Sequence, residues 1–178
     1  MIKLGAKELR TTKSTERQRK TIKKNPIYII LDNVLDTYNV GAIFRLADAV
    51  SVEKVLLCGQ TERPPHTRIK KASINTTEWV EWEYFEKTED AIKELRSKNQ
   101  DLKIIAVEQS SKSVPYNKFD YTFPLALVVG HESDGVSAAV LDLCDGIVEL
   151  PMFGVNVSLN VMVSLGIVLY KAVEFLQK

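Results

Sequence analysis

Four nearly continuous apolar runs constrain the fold most: PIYIILDN (26–33), KVLLCG (54–59), KIIAVEQS (103–110) and YTFPLALVVG (121–130). Strands with so little polar alternation are buried on both faces, and such strands belong to parallel sheets covered by helices. The stretches between them carry helical patterning. NVGAIFRLADAV (39–50) places Val40, Ile43, Phe44 and Ala47 on one face. TEDAIKELRSKN (88–99) opens on a threonine cap and is amphipathic, and LNVMVSLGIVLYKAVEFLQK (159–178) closes the chain as a helix. IKKASINTTEWV (69–80) and SAAVLDLC (137–144) read as short helices, VEWEYF (80–85) as an edge strand and GIVELP (146–151) as the last strand. Residues 4–24 are helix-compatible up to Asn25-Pro26. The expected fold is α/β, a mostly parallel sheet with helices on both faces, whose ligands bind outside the carboxyl ends of the strands.

At 178 residues the chain suffices for one domain with a full core. Its net charge of +1 hides a division. Residues 1–25 hold nine Lys and Arg against two Glu, and the remainder holds 15 against 21 Asp and Glu. A basic arm (1–25) is thus joined to a mildly acidic body (26–178). The arm is either a handle for a polyanion or a solvated tail. Cys58 and Cys144 are too isolated for a disulfide framework or a zinc knuckle and read as buried thiols of a reducing compartment. The charged N-terminus lacks an apolar signal core, and the apolar run 155–170 is interrupted by Asn156, Ser158, Asn160 and Ser164. A soluble, cytoplasmic protein with no membrane partner is expected. His66 and His131 lack metal-ligand spacing, so no metal is expected.

Three segments place polar residues in apolar surroundings at strand ends. NVGAIFR (39–45) carries Asn39 near a helix start and Arg45 six residues on, read as close to the same face; Arg45 either snorkels or aims at an anion. Gly41 within that helix suggests close packing against a neighbour. GHESDG (130–135) follows a strand and precedes a helix. It is not G-x-G-x-x-G and lacks a P-loop lysine, so a dinucleotide or nucleoside-triphosphate cradle is unsupported; it is otherwise an ordinary strand–helix turn. LPMFGVNVSLNV (150–161) leads into the closing helix, with Ser158 as its plain N-cap.

Taken in order, N-V-G-A-I-F-R, G-H-E-S-D-G and L-P-M-x-G-x-x-x-S-L-N-V resemble the three motifs of the SpoU/TrmH family of RNA 2′-O-methyltransferases, in the SPOUT class. The resemblance covers residues 27–174. Ser133 stands where the family usually has Gly, and Val50-Ser51 where it usually has Phe-Gly. The resemblance implies a C-terminal deep trefoil knot that forms the S-adenosyl-L-methionine site, with main-chain binding by Leu127, Val129, Gly130, Glu132, Leu150, Pro151, Met152, Ser158 and Leu159. It maps the catalytic residues onto Asn39, Arg45, Glu132, Ser158 and Asn160, with Asn39, Glu132 and Asn160 holding Arg45 and the ribose. A homodimer is implied, with its active site at the subunit interface, and RNA as the partner. The small size and lack of an appended RNA-binding domain favour tRNA over rRNA. Two other readings compete: a catalytically inactive RNA-binding protein on the same fold, and an unrelated nucleotide-binding α/β enzyme.

Overall fold

The computed structural model describes residues 2–176. Two short helices, α1 (Ala6–Leu9) and α2 (Glu16–Lys20), precede β1 (Asn25–Asp32). The rest alternates: α3 (Thr37–Ala49), β2 (Val52–Cys58), α4 (Thr67–Ser73), β3 (Trp82–Phe85), α5 (Thr88–Lys98), β4 (Lys103–Val107), β5 (Val114–Pro115), β6 (Leu125–Gly130), α6 (Ala138–Leu141), β7 (Gly146–Glu149) and α7 (Val161–Leu176). The seven strands form one parallel sheet in the order β3-β2-β1-β6-β4-β7-β5. Strand β6, at the centre, is buried at every position. On one face α3, α4 and α7 close the core through Val40, Ile43, Phe44, Ile69, Leu165 and Leu169. On the other, Ile92 and Leu95 of α5 and Val140 of α6 pack against Ile30, Ile104 and Val128. This is the expected fold class, reached because the strands offer apolar side chains to both sides.

Several boundaries differ from the sequence reading. Residues 4–24 are not one helix, because Thr15 starts a new one: its side chain accepts from Gln18 N while Gln18 reaches back to Thr15 N. The helix expected over 69–80 stops at Ser73, since Ile74 (φ 50°) and Asn75 (φ 69°) take left-handed backbone and a 3-10 turn follows at 76–78. The strand expected from 121 begins at Leu125, after Pro124, which has no N–H for the ladder. Residues 108–110 and 150–151 lie beyond their strands, and the helix expected over 137–144 spans only Ala138–Leu141. The closing helix begins at Val161; its expected last two residues, 177–178, lie outside the described residues. The two-residue strand β5 was not expected at all. Gly41 does mark a close approach, for a Cβ there would stand 2.6 Å from Ala72 Cβ on α4.

Strand β7 lies between β4 and β5, so the 108–113 connection bridges over its carboxyl end. Gln109 Nε2 donates to Val157 O at 2.6 Å, and Ser113 Oγ donates to Glu149 Oε2 at 2.7 Å, fastening the bridge to the chain that leaves β7. That crossing agrees with the knotted C-terminus that the resemblance implies. No helix among the described residues is long and apolar enough to cross a membrane.

Candidate active site at the carboxyl ends of the central strands

Strands β1 and β6 end side by side, with Asp32 paired to Gly130. Asp32 closes an apolar run and is buried, so its carboxylate needs donors. Thr88 Oγ1 (2.6 Å), Asn33 Nδ2 (2.9 Å) and Ser137 N (2.9 Å) supply them. The sequence reading used Asp32 only as a strand end; an acid terminating IYIIL was the available signal for a buried anchor.

Beyond Gly130 the chain doubles back. His131 N donates to Gly135 O (3.0 Å) and Gly135 N to His131 O (2.9 Å). The ring nitrogen Nδ1 of His131 accepts from Ser133 N (3.1 Å) and Asp134 N (3.2 Å), which makes this histidine a turn cap. Gly130 is required by proximity: a Cβ would lie 2.1 Å from the carbonyl carbon of Gly135. Gly135 is required by conformation as well, at φ 69°. Ser133 is not among the residues of positive φ, so the serine that departs from the family pattern fits the loop without strain. Glu108, at the end of β4, accepts from Val136 N (2.8 Å) and Gln109 N (2.8 Å) and ties this loop to the next strand. The sequence reading passed over it.

The loop carries Glu132 to the start of α3. Its carboxylate accepts from Leu35 N (3.1 Å), Asp36 N (3.0 Å) and Asn39 Nδ2 (2.9 Å). Partial burial pushes the Glu132 carboxyl up, but the hydrogen bonds from Asn39, Asp36 and Leu35 outweigh it, and the pKa falls below its ordinary value. Asn39 Oδ1 in turn accepts from Asn160 Nδ2 at 3.0 Å. Asn160 Oδ1 accepts from Met162 N (3.0 Å) and Val163 N (3.4 Å), the first free donors of α7. Asn160, not Ser158, therefore caps the closing helix. Ser158 is exposed and outside this chain of amides; its N–H donates to Asn156 Oδ1 (3.3 Å). Residues from all three motifs thus meet, as Glu132, Asn39 and Asn160.

Arg45 does not join them. Six residues advance a helix by about 600°, leaving Arg45 about 120° around from Asn39. The two were read as sharing a face, and they do not: Asn39 is buried and Arg45 is exposed. Arg45 instead shares its flank with Tyr38, seven residues earlier, and both border an open basin.

The residues assigned to the cofactor divide. Leu150, Met152 and Leu159 come together around a cleft that also involves Val107, Glu108 and Gln109, which the sequence reading did not include. The cleft measures about 40 Å³, far below the roughly 300 Å³ of a small-molecule pocket. Its lining residues Met152 and Leu159 bracket an exposed wall segment, in which Phe153 is 94% and Val155 101% exposed. Among the described residues the backbone of that wall makes only two hydrogen bonds, at Val157 O and Ser158 N. Leu150, Met152 and Leu159 beside Gln109, Ser164 and unspent backbone donors and acceptors make a mixed apolar and polar lining of the kind an adenosyl group needs. Leu127 and Val129 bury their side chains in the core, so only their strand's backbone and Gly130 reach the site. Pro151 is exposed beside the cleft. No group of three or more His, Cys, Asp or Glu able to hold a metal occurs among the described residues.

The SpoU rRNA Methylase family matches residues 26–170. The chain is 36% identical to the tRNA (guanosine(18)-2′-O)-methyltransferase of Aquifex aeolicus, over 90% of the chain and 75% of that protein. It is 30% identical to the 23S rRNA (guanosine-2′-O-)-methyltransferase RlmB of Ralstonia nicotianae, over 84% of the chain and 59% of that protein. In three dimensions it resembles an AdoMet-bound rRNA methyltransferase from Sinorhizobium meliloti with a TM-score of 0.78, at 27% identity over 89% of this chain and 60% of that one. The chain therefore spans three quarters of the first relative and about 60% of the other two.

Proposed function

The chain belongs to the SpoU rRNA methylase family, and from that premise we propose that it transfers a methyl group from S-adenosylmethionine to a ribose 2′-hydroxyl of tRNA. The observation that carries this reading is the Glu132–Asn39–Asn160 chain of hydrogen bonds, which draws the three motifs into one site. tRNA is favoured over rRNA because the tRNA-modifying relative is matched at higher identity and over more of its length than the rRNA-modifying one.

When bound, the cofactor supplies an activated methyl group. Transfer would form a bond from the 2′-oxygen to the methyl carbon and leave the cofactor as its neutral thioether, with the hydroxyl proton passing to solvent. Leu150, Met152 and Leu159 would hold the adenosyl group, with backbone groups of residues 152–159 and Gly130. Glu132 is spent on three donors, so it positions residues 35–39 and is not the base. Arg45 is free of carboxylate partners among the described residues. It stabilises the developing alkoxide and orients the neighbouring phosphate. Ser158 reaches the site only when the wall opens around the cofactor.

The working unit is a homodimer. Helix α7 buries Leu165, Val168, Leu169 and Ala172 and leaves a second apolar stripe, Val163, Ile167 and Tyr170, in the open. Val155, Val157 and Leu159 extend that apolar surface from the wall. The body, 26–178, is the methyltransferase domain, and the arm, 1–25, is its contact with the RNA backbone.

Label transfer from S-adenosylmethionine to bulk unmodified tRNA and bulk rRNA, for wild type and Arg45→Ala, tests the reading. Label in tRNA that drops at least a hundredfold in the variant is expected. No label in either pool, with S-adenosylhomocysteine still bound, would instead favour an inactive RNA-binding relative.

A further inference from the structure

Beside α3 lies a basin of about 500 Å³ bordered by Arg10, Tyr38, Arg45, Lys70, Lys71 and Asn75, and no carboxylate lines it. Its four cations come from three elements: the arm, α3 and α4. None of the four makes an ion pair or a side-chain hydrogen bond among the described residues. Three cations nearer the body do find acidic neighbours: Arg19 pairs with Glu81 at 3.0 Å, Lys20 with Glu16 at 2.6 Å, and Lys24 lies among Asp48, Glu53 and Glu81. Arg10 is instead brought toward three further cations. Gathering like charges without counterions costs energy in the free protein, and an anionic ligand removes that cost.

The placement of Arg10 is built, not incidental. Asn75 is buried, and its Nδ2 donates to Leu9 O (3.0 Å) and Thr12 O (2.9 Å), the carbonyls on either side of Arg10. To do so the chain accepts two successive left-handed residues, one of them the β-branched Ile74. Tyr38 is half exposed at the opposite border and directly precedes Asn39 of the hydrogen-bonded site.

Resting on the proposed function, we infer that this basin is a subsite for the RNA backbone next to the methylated nucleotide: Arg10, Lys70 and Lys71 take two successive phosphodiesters, Tyr38 stacks on a base, and Asn75 is the positioning residue that holds Arg10 in place. The ligand is a polynucleotide, since a basin with cations on three sides and an aromatic wall matches a chain of phosphates better than one.

The test is binding of unmodified tRNA by fluorescence anisotropy across a salt series, with S-adenosylhomocysteine affinity and thermal midpoint measured for every variant. Lys70→Gln/Lys71→Gln is expected to flatten the log–log salt slope by roughly 1.4–1.8, at about 0.7–0.9 per phosphate contact. Lys7→Gln/Lys13→Gln, which removes equal charge from the arm outside the basin, is expected to change it by less than half as much. Asn75→Gly keeps the left-handed turn but deletes the clamp; it should reproduce Arg10→Gln, and the two together should be no worse than either alone. Cofactor affinity should stay at wild-type levels throughout. An equal effect of the Lys7/Lys13 pair, a wild-type slope for Lys70→Gln/Lys71→Gln, or a silent Asn75→Gly overturns the inference while methylation by the wild type leaves the function standing. Inorganic phosphate competing as well as an oligonucleotide, mole for mole, also overturns it, marking a free-phosphate site. A wild type that binds S-adenosylhomocysteine but neither binds nor methylates RNA overturns the function, and the subsite with it.

Discussion

The side-chain amide of Asn160 donates to Asn39 Oδ1 across 3.0 Å, tying the first turn of the closing helix to the helix that follows the first strand. The direction of this bond is set at both ends. Asn160 Oδ1 is engaged by the amides of α7, and Asn39 Nδ2 by Glu132. Only Asn at position 39 both donates to the carboxylate and accepts from the second amide at that length.

Asn39→Asp should therefore be damaging at neutral pH. It replaces the donor to Glu132 with a second carboxylate in a buried position, at a cost of about 3 kcal/mol. The introduced carboxyl has its pKa raised, so the stability it permits is present below its ordinary value and lost as pH rises through the raised one. The native Glu132 has the opposite sign: its lowered pKa gives stability above the ordinary carboxyl value that is lost as pH falls through the lowered one. Thermal unfolding of both proteins from pH 4 to 8 checks this, and the gap between them should narrow toward pH 4. A gap independent of pH would refute the account.

Gly130→Ala should open the loop that presents Glu132. The added Cβ would stand 2.1–2.2 Å from backbone atoms of Gly135 and Val136, which no side-chain rotation relieves. A loss of about 1–3 kcal/mol in urea unfolding is expected, together with weaker S-adenosylhomocysteine binding by calorimetry. Unchanged cofactor affinity would show that the loop contributes nothing to the cleft.

Cys58 and Cys144 should be inert. Burial pushes both thiols up to about 12, from an ordinary 9.0. The stability of keeping them neutral is present below pH 9 and lost as pH rises through about 12. Titration with a disulfide reagent at pH 8 should find neither thiol until denaturant is added. Rapid labelling of the native protein would show that burial does not hold.

Ile167→Glu should break the proposed dimer. It sits mid-stripe between Val163 and Tyr170, where a charge on each copy would face apolar surface. Sedimentation velocity at micromolar concentration should give a dimer for the wild type and a monomer for the variant, with methyl transfer falling in parallel. A monomeric wild type would remove the interface altogether.

Much of this site was legible because it rests on local chemistry. Glu132 follows a strand end, and Asn39 and Asn160 stand at helix starts, where a polar residue in an apolar run signals a required hydrogen bond. Ser158 is the cap the sequence suggests, but the helix starts later, and Asn160 takes that place by accepting from Met162 N and Val163 N while donating to Asn39. Arg45 is not close to the face of Asn39, as the sequence suggests, because six residues fall about a third of a turn short of two full turns. The break at Ile74-Asn75 was invisible, since an isoleucine does not announce left-handed backbone; the arm's carbonyls waiting for the Asn75 amide explain it.

The sequence by itself determined the six longer strands, the helices that cover them and the order of the three motifs, because burial on two faces and helical periodicity are written in neighbouring residues. Tertiary structure alone decided what those residues meet: that β7 slips between β4 and β5, that Asn160 finds Asn39 across 121 positions, and that Arg10 arrives beside Lys70 and Lys71. Such pairings depend on the path of the chain through space, and no pattern confined to a short segment encodes that path.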